Sequence, residues 1–299
     1  MSNNLYGKGQ SSRQGQTGHS LQIKFPHMST GVIISCIILL TFVIMAIFPG
    51  SVAPHDPNSV DLNNRLAKPD MEHPFGTDHH GRDILSRVIH GTQTSLVTAL
   101  SVVAVGVVLG TFIGLTAGFF GGIVDQTIMR TVDLFLAFPG TILSIALVGL
   151  FGASLFNIVL ALSVMWWVSY ARIIRGSVLQ VKEKDFVKGA RLMGGNSYYI
   201  IRRHVLPNVL SPIFALATLD VGSAILHITG LSFLGLGAQP PTPEWGAMIQ
   251  GSIAFMETAP QTMIFPGLCI VITVLSFNCL GDWLKERIDP VRVEKADFQ

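Results

Sequence analysis

Gly31 to Phe48 is a run of eighteen residues without one charge, and five further apolar stretches follow it: Ser95 to Phe120, Thr131 to Phe151, Ala153 to Tyr170, Val209 to Leu236 and Met263 to Leu280. A helix of about 20 apolar residues crosses a hydrocarbon layer about 30 Å thick. Runs of this length and purity leave the chain little else to become than a bundle of membrane-crossing helices. Only 13% of the residues are charged, where soluble domains carry about a quarter. The expected fold is an all-α polytopic membrane protein with six transmembrane helices.

The polar segments between the runs differ in charge, and the difference sets an orientation. Residues 1–27 are rich in Asn, Ser, Gly and Gln and carry Lys8, Arg13 and Lys24 with no acid; they read as a disordered tail. The polar region before the first run is too long for a signal peptide, and Pro49-Gly50 is no small-x-small cleavage site, so the first helix is expected to be retained. Residues 49–94 hold six acids and four bases, whereas Arg172 to Arg203 holds eight bases and two acids. Residues 237–262 carry Glu244 and Glu257 and no base. Lys and Arg mark the cytoplasmic side, so both termini and the basic stretch are expected inside. The organisation that follows is a tail at 1–27, a first helix and outer segment at 28–94, a five-helix domain at 95–290 and a second cytoplasmic tail at 291–299.

Catalytic signatures are missing from the sequence. It has no GxxxxGK[ST], HExxH or GxSxG, so no catalytic residue, cofactor or metal is assigned. Cys36, Cys269 and Cys279 lie in apolar runs without CxxC spacing and read as small buried residues. His79-His80, with His73 and His90 nearby, shows no recurring ligand spacing and reads as a solvated loop. No basic tract with interleaved aromatics suggests nucleic acid. Gly106, Gly110, Gly114 and Gly118 recur every fourth residue, the pattern that lets membrane helices approach closely.

Three stretches carry more information. The island from Lys182 to Asn208 puts Phe186, Ala190 and Met193 on one helical face and Lys184, Lys188 and Arg191 on the other. Gly194-Gly195 is expected to end that helix, Asn196 or Ser197 to cap a second through Tyr198 to Ile201, and Pro207 to bend the chain into the fifth span. Such a hairpin either meets a cytoplasmic partner or rests on lipid headgroups. In the outer segment, Phe75 to Gly91 reads as a short surface helix capped by Thr77 or Asp78, with an Asp83–Arg87 pair and Gly91 as its stop. In the second outer loop, Pro240-Pro241 is expected to break the fifth span. Thr242 would cap a short helix with Pro243 at its first position, Glu244 at its positive end and Trp245 in the interfacial belt. Inside the spans, Asp133 reads as a partner of Arg130. Asp220 and His227, seven apart, share a face that either lines a pathway or bonds to neighbouring helices.

These stretches resemble the inner-membrane permease subunits of bacterial ABC importers for dipeptides, oligopeptides and nickel. The resemblance runs from about residue 30 to Pro290. It rests on GTDHHGRDILSR at 76–87 (Gly76, Thr77, Asp78, Gly81, Arg82 and Asp83 among them), on the loop from Lys188 to Pro207, and on LSFLGLGAQPPTPEWG at 231–246 with Pro243, Glu244 and Trp245. In such permeases the loop reads EAA, three residues, Gly, nine residues, Ile-x-Leu-Pro. Here Lys188-Gly189-Ala190 stands at EAA, Gly194 at the glycine, His204 at the Ile and Leu206-Pro207 at the end. With the glutamate replaced, coupling would depend on shape. The resemblance implies a type I importer fold in the bacterial inner membrane, in contact with lipid. It also implies a heterodimer with a second, similar permease, two cytoplasmic ATP-binding subunits docked on the loops, and a periplasmic or lipid-anchored substrate-binding protein. Phe186, Lys188, Gly189, Ala190, Met193, Gly194, Leu206 and Pro207 would then carry ATPase coupling, and Asp133, Asp220 and His227 are candidates to line the pathway. The implied cargo is peptides or nickel, taken as one class. The competing readings are a stand-alone ion-coupled carrier or channel, in which Asp133 and Asp220 carry the coupling, and a non-transporting membrane scaffold.

Overall fold

The computed structural model describes residues 29–288. The readings for the tails at 1–27 and 291–299 lie outside those residues. The long elements are helices: α1 (Thr30–Ile47), α2 (Ile84–Phe120), α3 (Gly122–Leu136), α4 (Gly140–Phe151), α5 (Leu155–Lys182), α6 (Asp185–Leu192), α7 (Ser197–Phe233), α8 (Trp245–Ser252) and α9 (Gln261–Ile288). Five of these are long and apolar enough to cross a membrane. The pair α3 and α4, bent by 83° at its break, supplies a sixth if it counts as one span.

The most extensive helix pairing joins α2 to α5. The glycine stripe of α2 makes it possible. Carbon atoms added at Gly106, Gly110, Gly114 and Gly118 would meet Trp166, Tyr170, Ala171 and Val178 of α5, at 3.2, 2.3, 2.4 and 2.8 Å. Both residue numbers rise together, so the two helices run parallel. The chain must therefore recross the bundle between Phe120 and Leu155, a climb of roughly 35–40 Å by helical rise. The bent pair makes that return, which gives six crossings. Helix α9 lies antiparallel to α7, with Gly222 of α7 against Val274 and Asn278, and Gly281 of α9 against Leu219. The outer faces remain apolar, as at Phe112, Ile142, Leu150 and Val108, which suits surroundings of lipid.

One end of the bundle gathers the start of α1, the basic island and the end of α9. Ser29 adjoins Asp282 and Trp283, and Lys184 and Pro207 share a cleft with Lys285 and Ile288. The other end is capped by residues 53–83 and the loop around α8.

Several local expectations are corrected. The surface helix of 75–91 does not exist separately, because α2 starts at Ile84 and runs on unbroken past Gly91. The 94/95 boundary therefore falls inside a helix. The third run is two helices, since Pro139 follows the break and pushes Phe138 out of helical geometry. Pro207 lies inside a continuous helix that begins before it, and does not mark the start of the span. Residues Ile201–Val205 form one wide π turn, and the amide of Leu206 donates to Ile201 O. That turn absorbs the proline's missing donor within a continuous 37-residue helix. Helix α7 stops at Phe233, with Gly235 at φ +79°, before Pro240-Pro241 is reached.

If the stripe sets the α2–α5 distance, Gly110→Ala lowers the stability of the purified chain by about 1–3 kcal/mol. Gly149→Ala on α4, where an added carbon meets nothing within 4 Å, leaves it unchanged. Thermal unfolding in detergent measures both.

Candidate docking surface and pathway

At the basic end, α6 is pinned rather than loose. Val187, Ile200 and Val205 are buried against the ends of α2, α5 and α7, in one cluster with Phe119, Val178 and Val209. These anchors were not singled out from sequence, although Val187 stands opposite the exposed surface. Helix α6 ends where Gly194 adopts φ +83°, a left-handed geometry that side chains resist. Asn196 then caps the next turn, its side chain accepting from Tyr199 N at 2.8 Å. Lys188 pairs with Glu183 at 3.0 Å and, by hydrogen bond first and charge second, holds that carboxyl below its ordinary value. Arg191 lies over the Phe119 ring.

What remains uncovered is apolar. Leu192 and Met193 are 89% and 91% exposed, and Phe186, Tyr198 and Tyr199 are exposed beside them. Phe186, Gly189, Ala190, Met193, Tyr199 and His204 line a groove of about 520 Å³. Leu192 was missed in the sequence because it lies off the Phe186–Ala190–Met193 stripe; its place just before the glycine elbow was the available signal. Leu206 and Pro207 are not in this groove. They follow the π turn, and Pro207 borders the neighbouring cleft with Ser177 and Lys285.

Asp220 and His227 both face α5. Tyr170 Oη donates to Asp220 Oδ2 at 2.5 Å, and the Trp166 ring stands edge-on to His227 at 6.0 Å. His227 Nδ1 lies 2.8 Å from Ser223 O. It borders a groove of about 320 Å³ with Thr141, Ser144, Ile145 and Leu162. Asp133 is elsewhere and does not meet Arg130. It accepts from Arg172 at 2.5 Å, while Asp125 accepts from Arg175 Nε and Nη2 at 2.5 and 2.7 Å. Two ion pairs thus strap α3 to α5.

At the capped end the signature residues serve the fold. Gly76 and Gly81 have φ of +75° and +74°, and an added carbon would strike Ala67 O and Asp61 O. Thr77 Oγ1 accepts from Ala67 N at 2.8 Å and donates to Asn64 O. Asp78 does not cap a helix. It binds Arg82 Nε at 2.7 Å, accepts from the amides of His80 and Arg82, and lies 3.6 Å from Arg87. Arg87 does not pair with Asp83. It donates to the carbonyls of Pro57 and Pro241, joining the two loops. Asp83 is the cap of α2, accepting from Ser86 N at 2.7 Å. His79, half-buried against Phe255, is pushed below its ordinary pKa by burial, with Asp78 opposing.

Glu244, and not Thr242, caps α8. It is 1% exposed and accepts from Gly246 N, Ala247 N and the Ser95 hydroxyl. Pro243 therefore precedes the cap instead of opening the helix. Trp245 is fully buried and is no interfacial residue. Its Nε1 donates to Val88 O at 3.1 Å, its ring meets Phe42 at 5.9 Å, and it fills the notch left by Gly91. Between the loops lies a polar cleft of about 210 Å³ lined by Asp78, His79, Arg82 and Gln250 among others.

Residues 106–293 match the family described as the binding-protein-dependent transport system inner membrane component, and residues 29–69 match the N-terminal TM domain of oligopeptide transport permease C. The nickel transport system permease protein NikC of Escherichia coli (strain K12) is 40% identical over 257 residues, which is 86% of this chain and 93% of that protein. The dipeptide transport system permease protein DppC of Alkalihalophilus pseudofirmus is 41% identical over 86% of this chain and 85% of that protein. The glutathione transport system permease protein GsiD of Escherichia coli O157:H7 is 42% identical with the same coverage. Among solved structures, a chain of the inward-facing MetNI methionine ABC transporter aligns with a TM-score of 0.55 at 19% identity, over 69% of this chain and 98% of that one. An amino acid ABC transporter aligns at 0.52 and 16% identity, over 67% and 94%. These two share the fold.

Because Trp245 fills a closed notch, Trp245→Ala is expected to cost about 3–5 kcal/mol. The loss appears as a lowered melting temperature, and the Gly91 backbone becomes open to proteolysis or hydrogen exchange that the wild type resists.

Proposed function

This chain belongs to the binding-protein-dependent transport system inner membrane components, and on that membership we propose how its two ends are used. It is the permease subunit of an ABC importer, a multi-pass inner membrane protein that is not itself an enzyme. The reading assigns the basic end to the cytoplasm, with both termini on that side. ATP hydrolysis lies on two separate ATP-binding subunits, and a second, similar permease completes the pathway as a heterodimer. A periplasmic or lipid-anchored binding protein delivers cargo to the capped end.

The observation that carries this reading is the exposed apolar tip Leu192–Met193, held on a helix whose other face is buried. Apolar side chains so exposed at a basic end need a partner that covers them. Phe186, Gly189, Ala190 and Met193 offer the ATP-binding subunit a groove, while Lys188 turns toward Glu183 and solvent. A push on this tip reaches α7 through the Gly194 elbow, because Val187 and Ile200 pack in the same cluster as Val205 and Val209. Helix α7 carries Asp220 and His227, so movement at the tip alters the α5–α7 face, which is the proposed wall of the pathway. The cargo class is dipeptides, oligopeptides or nickel and metal chelates. The relatives named for nickel, dipeptide and glutathione transport support that breadth, and their similar identities do not divide it.

Gly194→Leu forces a left-handed residue that costs about 1–2 kcal/mol and misaligns the elbow. We expect the complex to assemble and capture substrate while substrate-stimulated ATPase activity falls at least about tenfold, a change of about 1.4 kcal/mol in barrier. Unchanged ATPase activity refutes the elbow's role. Uptake that continues after ATP depletion, with the ion gradient maintained, refutes the importer reading in favour of an ion-coupled carrier.

A further inference from the structure

At the start of α2, three side chains from separate parts of the chain converge. His55 comes from the segment after the first span, His73 from the loop before the Gly76 turn, and Asp83 from the cap of α2 itself. Asp83 Oδ1 lies 3.0 Å from His73 Nδ1, and Asp83 Oδ2 lies 3.8 Å from His55 Nδ1. The three atoms all fall within 4.8 Å of one another. The imidazole rings stand 4.8 Å apart, tilted by 39°.

Each residue is fixed by a bond that leaves a ligand atom available. His55 N donates to Ser86 Oγ at 3.0 Å, His73 N donates to Asp70 Oδ1 at 2.6 Å, and the Asp83 carboxylate is steadied by Ser86 N. The His73–Asp83 contact accounts for two of the three as an ordinary hydrogen bond. It does not account for His55, whose Nδ1 is buried and meets no hydrogen-bond partner. At 3.8 Å the carboxylate is too far to serve as one, and buried polar atoms are rarely left so.

A cation accounts for all three. Zinc holds nitrogen and oxygen at about 2.0–2.2 Å, so tetrahedral neighbours stand about 3.3 Å apart. The 3.0 Å between His73 Nδ1 and Asp83 Oδ1 is close to that value, and one ligand atom from each of the three residues lies within 4.8 Å of the other two. Two imidazole nitrogens and one carboxylate oxygen suit a borderline transition cation, whereas calcium and magnesium require oxygen ligands. The partly exposed side of His55 leaves the fourth position to water. We propose that His55, His73 and Asp83 bind one divalent cation of the zinc class, which fastens the 53–83 segment to the start of α2. The site lies at the capped end, away from the docking groove, and does not depend on what cargo is carried.

The test uses the full chain, purified in detergent with a tag that contains no histidine, and zinc chloride titrated against a chromophoric chelator. The expected result is one zinc per chain and a melting temperature that rises with saturating zinc. His55→Ala should weaken binding at least about tenfold and abolish that rise. Its zinc-free melting temperature should stay near that of wild type, because the His55 ring makes no hydrogen bond to lose. Asp83→Asn, which keeps an N-cap oxygen, should also weaken binding. Absence of stoichiometric zinc binding overturns the proposal. So does equal affinity in His55→Ala, or binding that depends on His79 and His80 instead.

Discussion

The close approach of α2 and α5 is the constraint from which the rest of the molecule takes its position. Four glycines remove the side chains that would hold these helices apart, and the backbones come near enough for an added carbon to overlap its neighbour. In lipid such contact is a main source of helix association, since burying apolar surface gains little against acyl chains. The parallel direction of the pair obliges the chain to recross between them. That return is the bent α3–α4 pair, strapped at Asp125–Arg175 and Asp133–Arg172. Tyr170, pressed against Gly110, reaches Asp220 from the same helix. One stripe of small residues therefore fixes the distance, the topology and the setting of the half-buried acid.

The two ends of the bundle solve opposite problems. The capped end pairs its buried charges internally. Asp78, Arg82, Arg87, Asp83 and Glu244 are all buried and all partnered, and charge buried without partners would be costly. The basic end leaves its apolar groups unsatisfied, with Leu192 and Met193 in the open. Charges paired at one end and apolar groups left open at the other agree with a subunit that works inside a larger assembly.

The broad plan was legible in the sequence, because apolar runs, glycine spacing and the clustering of bases are one-dimensional signals. So was the elbow at Gly194 and its cap at Asn196. The misreadings share a cause. The first turns of α2 face a protein cap instead of lipid, so their polarity hid their continuity with the span. Arg87 looked like a partner for Asp83 at helical spacing, but its partners are Asp78 and two carbonyls far along the chain. Trp245 has the composition of an interfacial residue, and only the distant notch at Gly91 draws it inside. The break before α4 did carry a signal, Phe138-Pro139-Gly140, which the length of the apolar run obscured. His55 carried none, since its neighbours in space are 18 and 28 residues away.

The wide turn at Ile201–Val205 keeps α7 a single rod despite Pro207. Thirty-seven residues span about 55 Å at helical rise. Such a rod, tilted by about 10° around its middle, carries each end sideways by about 5 Å, close to the pitch of one helical turn. Small angular motion at Tyr198 is thus geared into a displacement the size of a small side chain beside Gly230, with the π turn and Pro212 as the places along the helix where it can give.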